Sequence, residues 1–494
     1  MTISQQTKFV LGMLQYNEAK AVEMLKTYYL EDSRSFCVAY SGGKDSSAVV
    51  FLVVKMLQQI KNPKKTIYIL NSNTLAELPP LLEHLQKSLK SIQAFSAKHK
   101  LPIEVIEVVP EMKNTLNVQL FGVGMPPPSQ TLRWCTDKLK VQPIDKKIKE
   151  LFPSGEFISV LGTRSDEGFK RQERIKHRTV KGTDLKLNDR YPKASNLMPI
   201  ENWSTKEVWS YLLSQTNELI DVDFLWKLYS DASDKNASEC SFVGAGGKYI
   251  DEGKLGCGIS RFGCWQCYLV RDKDKSLDGL MQSGYKDLEP YNAYRDWFWQ
   301  FTQQGWEKTR DVYSHRTQAR DIYDKGGEDN IRYGMTMPKG LALDIRKKAF
   351  KKFIELQKKI EEPLITLEEI VLIQQRWILE GDLNLTAFKY AKELEFNLNS
   401  FSLRKEMREK IRQAKAILKL LKTDNYTKNY YSLNTLKRFS IQYILNKSKC
   451  ATKFFPSKQE EKHIRTEWTK GQKLEQRTKK DLDLYYLTQR LTNE

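Results

Sequence analysis

The sequence predicts an α/β protein organised on a mainly parallel sheet, followed by a Cys-rich segment and a helical, basic carboxyl-terminal region. Three observations predict it. Short apolar runs alternate with helix-patterned stretches from Phe36 to Leu161; the first run opens directly into a glycine-containing loop and a helix; and strand-like runs become rare beyond Tyr268. Alternating strands and helices argue for a sheet covered on both faces, which binds ligands beyond the carboxyl ends of its strands, where strand order reverses.

Taken in order, residues 7–29 carry apolar side chains at helical spacing (Phe9, Leu11, Met13, Leu14, Ala21, Met24, Leu25) and predict one or two helices. Residues 36–40 form a short continuous apolar run, residues 41–47 a tight loop, and residues 48–60 a helix. Further strands are expected at 66–70, 103–109 and 157–161, with helices at 81–98 and 141–151. Helices are also expected at 341–359, 366–379 and 404–421, with Pro363 and Gly381 as punctuation. The resulting division is a nucleotide-binding domain over 1–235, a cysteine segment over 236–275, a helical region over 276–390 and a basic extension over 391–494.

The chain carries a formal charge of +20, which favours a polyanionic partner over a small acidic metabolite. Roughly +12 of it falls within residues 392–494. No apolar run reaches the roughly 18 residues that span a bilayer, and the start lacks an export signal, so a soluble cytoplasmic protein without a membrane partner is expected. Seven cysteines in a reducing compartment are not read as disulfides.

The most informative stretch is Ser41, Gly42, Gly43, Lys44, Asp45, Ser46 and Ser47. Adjacent glycines expose backbone N–H groups, the following helix points its positive end at the loop, and Lys44 adds a full charge. That is a phosphate cradle. The spacing of a Walker A loop is absent, which disfavours γ-phosphate transfer of the P-loop NTPase kind.

Cys240, Cys257, Cys264 and Cys267 leave gaps of 16, 6 and 2 residues. Four thiolates so placed suit tetrahedral zinc or a cuboidal iron–sulfur cluster, and the spacing leaves both open. None of the five histidines lies nearby in sequence, so a mixed Cys/His site is not expected. Cys37, inside the first strand, reads as a small core residue. Cys135 has Arg133 and Lys138 beside it, charges expected to lower its pKa. It reads as a persulfide carrier, an alternative cluster ligand or a pocket-lining residue. The aromatic run Trp297, Phe298, Trp299, Phe301 and Trp306 reads as helical core.

The string at 41–47 resembles the PP-loop of the ATP pyrophosphatases, an adenine nucleotide alpha hydrolase-like family that includes phosphoadenylylsulfate reductases and tRNA thiolation enzymes. Two more stretches resemble its reductase branch: Arg133-Trp134-Cys135-Thr136 with Lys138 and Lys140, and Gly162-Thr163-Arg164 with Glu167 and Arg171. Their guanidinium groups are expected to fork onto phosphate oxygens. Asn71 to Leu75 with Glu77 and Pro79, Pro199-Ile200-Glu201-Asn202-Trp203, and the run from Cys257 to Cys267 resemble the DndC-type DNA phosphorothioation sulfurtransferases, over roughly residues 1 to 390.

That resemblance implies ATP with Mg²⁺ held by residues 41–47 together with Arg133, Gly162, Arg164 and Glu167, with Lys44, Asp45, Cys135 and Arg164 in catalytic roles. It implies a [4Fe–4S] cluster on Cys240, Cys257, Cys264 and Cys267, DNA as substrate, a cysteine desulfurase as sulfur donor, and other phosphorothioation-system proteins as partners. ATP would be cleaved between its α- and β-phosphates. One departure is visible: Asn73 stands where the family pattern has Asp, which puts a carboxylate's role in Mg²⁺ or ribose binding in doubt. The rival readings are a phosphoadenylylsulfate or adenylylsulfate reductase, which leaves the basic carboxyl-terminal third unexplained, and a nucleotide-switched DNA-binding scaffold.

Overall fold

The computed structural model describes residues 3–129, 132–167, 169–232, 263–268, 274–305, 309, 340–395, 411–416 and 418–419. The chain forms two compact units, one comprising Met1–Leu116 and Pro128–Asp296, the other Asn117–Pro127 and Trp297–Glu494.

The first unit is built on a six-stranded sheet of order β3-β2-β1-β4-β6-β5, comprising β1 (Phe36–Ala39), β2 (Ile67–Ser72), β3 (Ile103–Val108), β4 (Ile158–Val160), β5 (Lys186–Leu187) and β6 (Ser195–Leu197). All neighbours pair in parallel except β5 with β6. Central β1 has no polar residue because both of its faces are covered. Phe36 and Val38 enter one core with Ile67, Ile69, Ile158 and Val160, while Cys37 faces a second core with Leu70, Val108, Phe152 and Phe157.

The amino terminus is a single helix, α1 (Ile3–Glu31). Helix α2 (Lys44–Gln58) is buried at almost every position from Ser46 to Leu57, which is why its sequence is apolar all round. Helix α3 (Pro79–Lys98) begins on two prolines, residues pre-set for a first helical turn, and α4 (Gln142–Leu151) seals the second core through Ile148. Helices α5 (Phe169–Arg178), α6 (Thr205–Leu213) and α7 (Val222–Ala232) follow, α6 opening on a capping box between Ser204 and Glu207. The two short strands β5 and β6 are not foreshadowed in the sequence.

In the second unit the helices Leu343–Ile360, Leu367–Leu379 and Thr386–Glu393 enclose Phe350, Phe353 and Trp377, and Phe121 packs among them. Buried Arg346 donates through Nη1 to the Gly122 carbonyl (2.7 Å) and through Nε to that of Leu341 (2.9 Å). Phe298 is fully buried and is core, whereas Trp297, which stacks on Phe301 at 4.9 Å between centroids, is half-buried, as are Phe301 and Trp299. Trp306, most of residues 404–421 and everything after residue 419 lie outside the described residues. Among the described residues no helix is long and apolar enough to cross a membrane.

Candidate functional site: a phosphate loop and a cysteine turn on one sheet edge

Strand order reverses between β1 and β4, and the connections leaving these two strands flank the crevice where open α/β sheets take ligands. The β1 connection is the loop 41–47. Gly42 has φ +74°, a left-handed conformation, and a Cβ there would come within 3.0 Å of Leu85. Gly43 is the N-cap of α2 and supplies no side-chain cap, so no side-chain oxygen from the cap covers the first-turn N–H groups. Ser46 closes the loop: its Oγ donates to the Gly43 carbonyl (3.0 Å) and accepts from the Ser41 amide (3.2 Å). Ser47 is fully buried beneath. Lys44 sits over the ring of Tyr229, 5.3 Å from its centroid. An uncapped helix start, a left-handed glycine and an ammonium group make a chemically sound seat for a phosphate chain.

The β4 connection braces this loop. A Cβ on Gly162 would lie 2.8 Å from the Asp45 backbone, so only glycine permits the approach. Arg164 is 1% exposed, and its guanidinium is occupied. Nε donates to Asp45 Oδ1 (2.7 Å), Nη1 to the Trp203 carbonyl (3.1 Å) and Nη2 to Thr205 Oγ1 (3.0 Å). The expectation that Arg164 forks onto phosphate is therefore corrected: it holds the loop's carboxylate. The Pro199-to-Trp203 stretch acquires a physical meaning as the seat of that arginine; there Lys186 pairs with Glu201 at 3.1 Å. The second oxygen of Asp45 faces Lys44 Nζ at 3.2 Å.

The cysteine turn docks on the neighbouring β2 connection. Cys264 forms an antiparallel bridge with Glu77, the Trp265 amide donates to the Ala76 carbonyl (2.9 Å), and the Cys267 amide donates to the Cys264 carbonyl (2.9 Å). Thr74 Oγ1 lies 3.3 Å from Cys264 Sγ. Burial pushes the Cys264 thiol up to about 12. Arg295, fully buried, donates through Nε to the Cys267 carbonyl (3.1 Å).

Cys135 lies close enough to Cys267 for the two thiols to feel each other's charge, although 132 positions separate them (267 − 135). Burial first, and Cys267 second, raise the Cys135 thiol, contrary to the expectation that Arg133 and Lys138 lower it. Arg133 is exposed, and Lys138 directs its ammonium to Asn114 Oδ1 at 3.4 Å. The thiol set is soft and suits zinc or an iron–sulfur cluster. Among the described residues no three His, Cys, Asp or Glu side chains converge closely enough to hold a metal ion. Cys240 and Cys257 lie outside the described residues, as do the side chains of Glu167 and Arg171. Cys37 is buried in the second core with its thiol pushed up to about 12.

Asn73 is buried and fully used: Nδ2 donates to Glu107 (3.1 Å), and Oδ1 accepts from the Leu75 amide (2.9 Å), shaping a turn in which Leu75 takes φ +61°. Tyr229, packed against the loop from α7, is a residue that sequence reasoning missed; in α7 it carries no motif and reads as one more apolar position.

Residues 35–269 match the phosphoadenosine phosphosulfate reductase domain model. The matched span includes every strand of the sheet, the loop 41–47 and the cysteine turn. An uncharacterized protein of Methanocaldococcus jannaschii is 28% identical over 216 residues, 43% of this chain and 39% of that protein. The chain thus covers about two fifths of that relative's length. Among solved structures, phosphoadenylyl-sulfate reductase from Candida auris in a phosphate complex aligns at 13% identity and TM-score 0.28, covering 42% of this chain and 90% of that one. The U34-tRNA thiolase NcsA from Methanococcus maripaludis with its [4Fe-4S] cluster aligns at 14% and 0.26, covering 44% and 71%.

Proposed function

We propose that this chain is an ATP-dependent sulfurtransferase that converts DNA backbone phosphates to phosphorothioates. The observation that carries the reading is the placement of a phosphate-type loop and a thiol turn at adjacent connections along one carboxyl edge of the sheet. In this reading a non-bridging DNA phosphate oxygen attacks the α-phosphorus of ATP and pyrophosphate leaves, forming a phosphate–AMP anhydride. A sulfur nucleophile then forms the P–S bond as the P–O bond to AMP breaks. The Lys44 ammonium and the N–H groups of Gly43, Asp45 and Ser46 hold the β- and γ-phosphates, and Arg164 fixes Asp45. Mg²⁺, where bound with ATP, would screen the charge of the phosphates; both Asp45 oxygens are engaged within the protein.

A [4Fe–4S] cluster on Cys257, Cys264 and Cys267, with Cys240 or Cys135 as the remaining ligand, supplies a sulfur-binding or electron-carrying centre when bound. The +20 charge supports a polyanionic substrate, and residues 391–494 supply much of it. A cysteine desulfurase would provide the sulfur. The match of residues 35–269 also keeps a second reading in view, reduction of phosphoadenylylsulfate.

The test is mass spectrometry of digested DNA from cells expressing the complete system. Sulfur-containing dinucleotides are expected with the native chain and absent with Lys44→Ala. Their absence with the native chain, alongside release of sulfite from phosphoadenylylsulfate in vitro, would replace this reading with the second.

A further inference from the structure

Tyr229 lies on α7, far in sequence from the phosphate loop, yet its hydroxyl stands over it. A Cβ on Gly43 would be 3.2 Å from the Tyr229 Oη, and the ring lies 5.3 Å from Lys44 Nζ. The ring is fixed edge-on by Trp209, at 5.2 Å between centroids and 76° between planes, so the hydroxyl is aimed rather than free to swing. The backbone N–H of Lys44 bonds to this oxygen, and Lys44, Asp45 and Arg164 all bear on its charge. Burial is the largest influence and raises the phenol, which keeps the hydroxyl protonated and able to donate.

An anion seated on the Gly43 N–H and the helix start beside it must therefore meet the Tyr229 hydroxyl. A phenol that accepts from a loop amide while donating to a phosphate oxygen extends the cradle by one donor from outside the loop. We propose that Tyr229 is a positioning residue of the phosphate site, its hydroxyl donating to the pyrophosphate portion of the bound nucleotide. The inference rests on reading 41–47 as a nucleotide loop.

The test is calorimetric titration of the full chain with inorganic pyrophosphate, ATP and AMP, in the native form and in Tyr229→Phe, which keeps the ring over Lys44. A lost hydrogen bond to a charged oxygen should weaken pyrophosphate and ATP about tenfold, with AMP unchanged because it lacks the β- and γ-phosphates. Equal pyrophosphate affinity in the two forms, tighter binding in the variant, or an equal loss for AMP would overturn the assignment. If the native chain itself bound neither pyrophosphate nor ATP, the nucleotide reading would fall instead. A second variant guards against a folding artefact. Gly43→Ala places a methyl 3.2 Å from the hydroxyl, so its loss of pyrophosphate affinity should be partly relieved in Gly43→Ala/Tyr229→Phe. Strictly additive losses would count against the contact.

Discussion

The loop that leaves β1 and the cysteine turn that docks on the neighbouring β2 connection lie on the same sheet edge, yet they are assembled in opposite ways. The loop is a local object: glycine dihedrals, a helix start and hydrogen bonds among Ser41, Gly43 and Ser46 shape it within seven consecutive residues. The turn is a long-range object. Cys264 and Trp265 take their places from Glu77 and Ala76, and Cys267 finds Cys135 across more than a hundred residues. A local object can be recognised from its string. A long-range one shows its residue types in sequence and hides its partners.

The largest effect that would break this comparison concerns the cysteines. Anaerobically purified protein should hold about four irons, and Cys264→Ser or Cys267→Ser should lose nearly all of them. Because Cys135 lies near enough to Cys267 to feel its charge, iron is expected to survive in Cys240→Ser and to fall in Cys135→Ser. Iron analysis and visible absorption decide the matter, and a colourless native protein with one zinc would overturn the cluster.

A second test asks how self-sufficient the loop is. Arg164→Ala leaves Asp45, the Trp203 carbonyl and Thr205 without their buried donor, which should cost about 3 kcal/mol in denaturant unfolding. Arg164→Lys should recover only part of it, because an ammonium cannot match three fixed directions. If Arg164→Ala unfolded like the native chain, the loop would be as local as its string suggests.

A third effect, felt only as pH falls, is a pH response on the loop's side of the sheet. His84 on α3 is buried, stacked on Phe224 at 5.6 Å, and burial pushes it down to about 4 from an ordinary 6.5. The unfolded chain binds this proton more readily, so the contribution is complete above about 6.5 and is lost as pH falls toward 4. The full loss is of the order of 3 kcal/mol. His84→Gln should flatten the stability profile across that window, and parallel native and variant profiles would refute the assignment.

The sheet and its order of elements were legible because a buried parallel strand must be apolar on both faces, as residues 36–40 and 157–161 are. β5 and β6 were not, since strands of two and three residues owe their existence to a neighbour rather than to a pattern. Arg164 was legible as important and illegible in role, because a residue type does not say whether a guanidinium faces solvent or Asp45. The Cys135 thiol misled for a related reason: adjacent charges in sequence point elsewhere, while burial and Cys267, unseen in the string, dominate.

The 2.8 Å approach of Gly162 to Asp45 carries a consequence for how the molecule comes into being. The loop after β1, though shaped by its own residues, is braced only when the chain after β4, more than a hundred residues later, has arrived against it. Pairing at such separation is slow, since the intervening chain must be closed before the contact rewards it. The bracing of the loop is therefore a late step as the chain folds, and an intermediate lacking β4 would present the string 41–47 with Asp45 unheld.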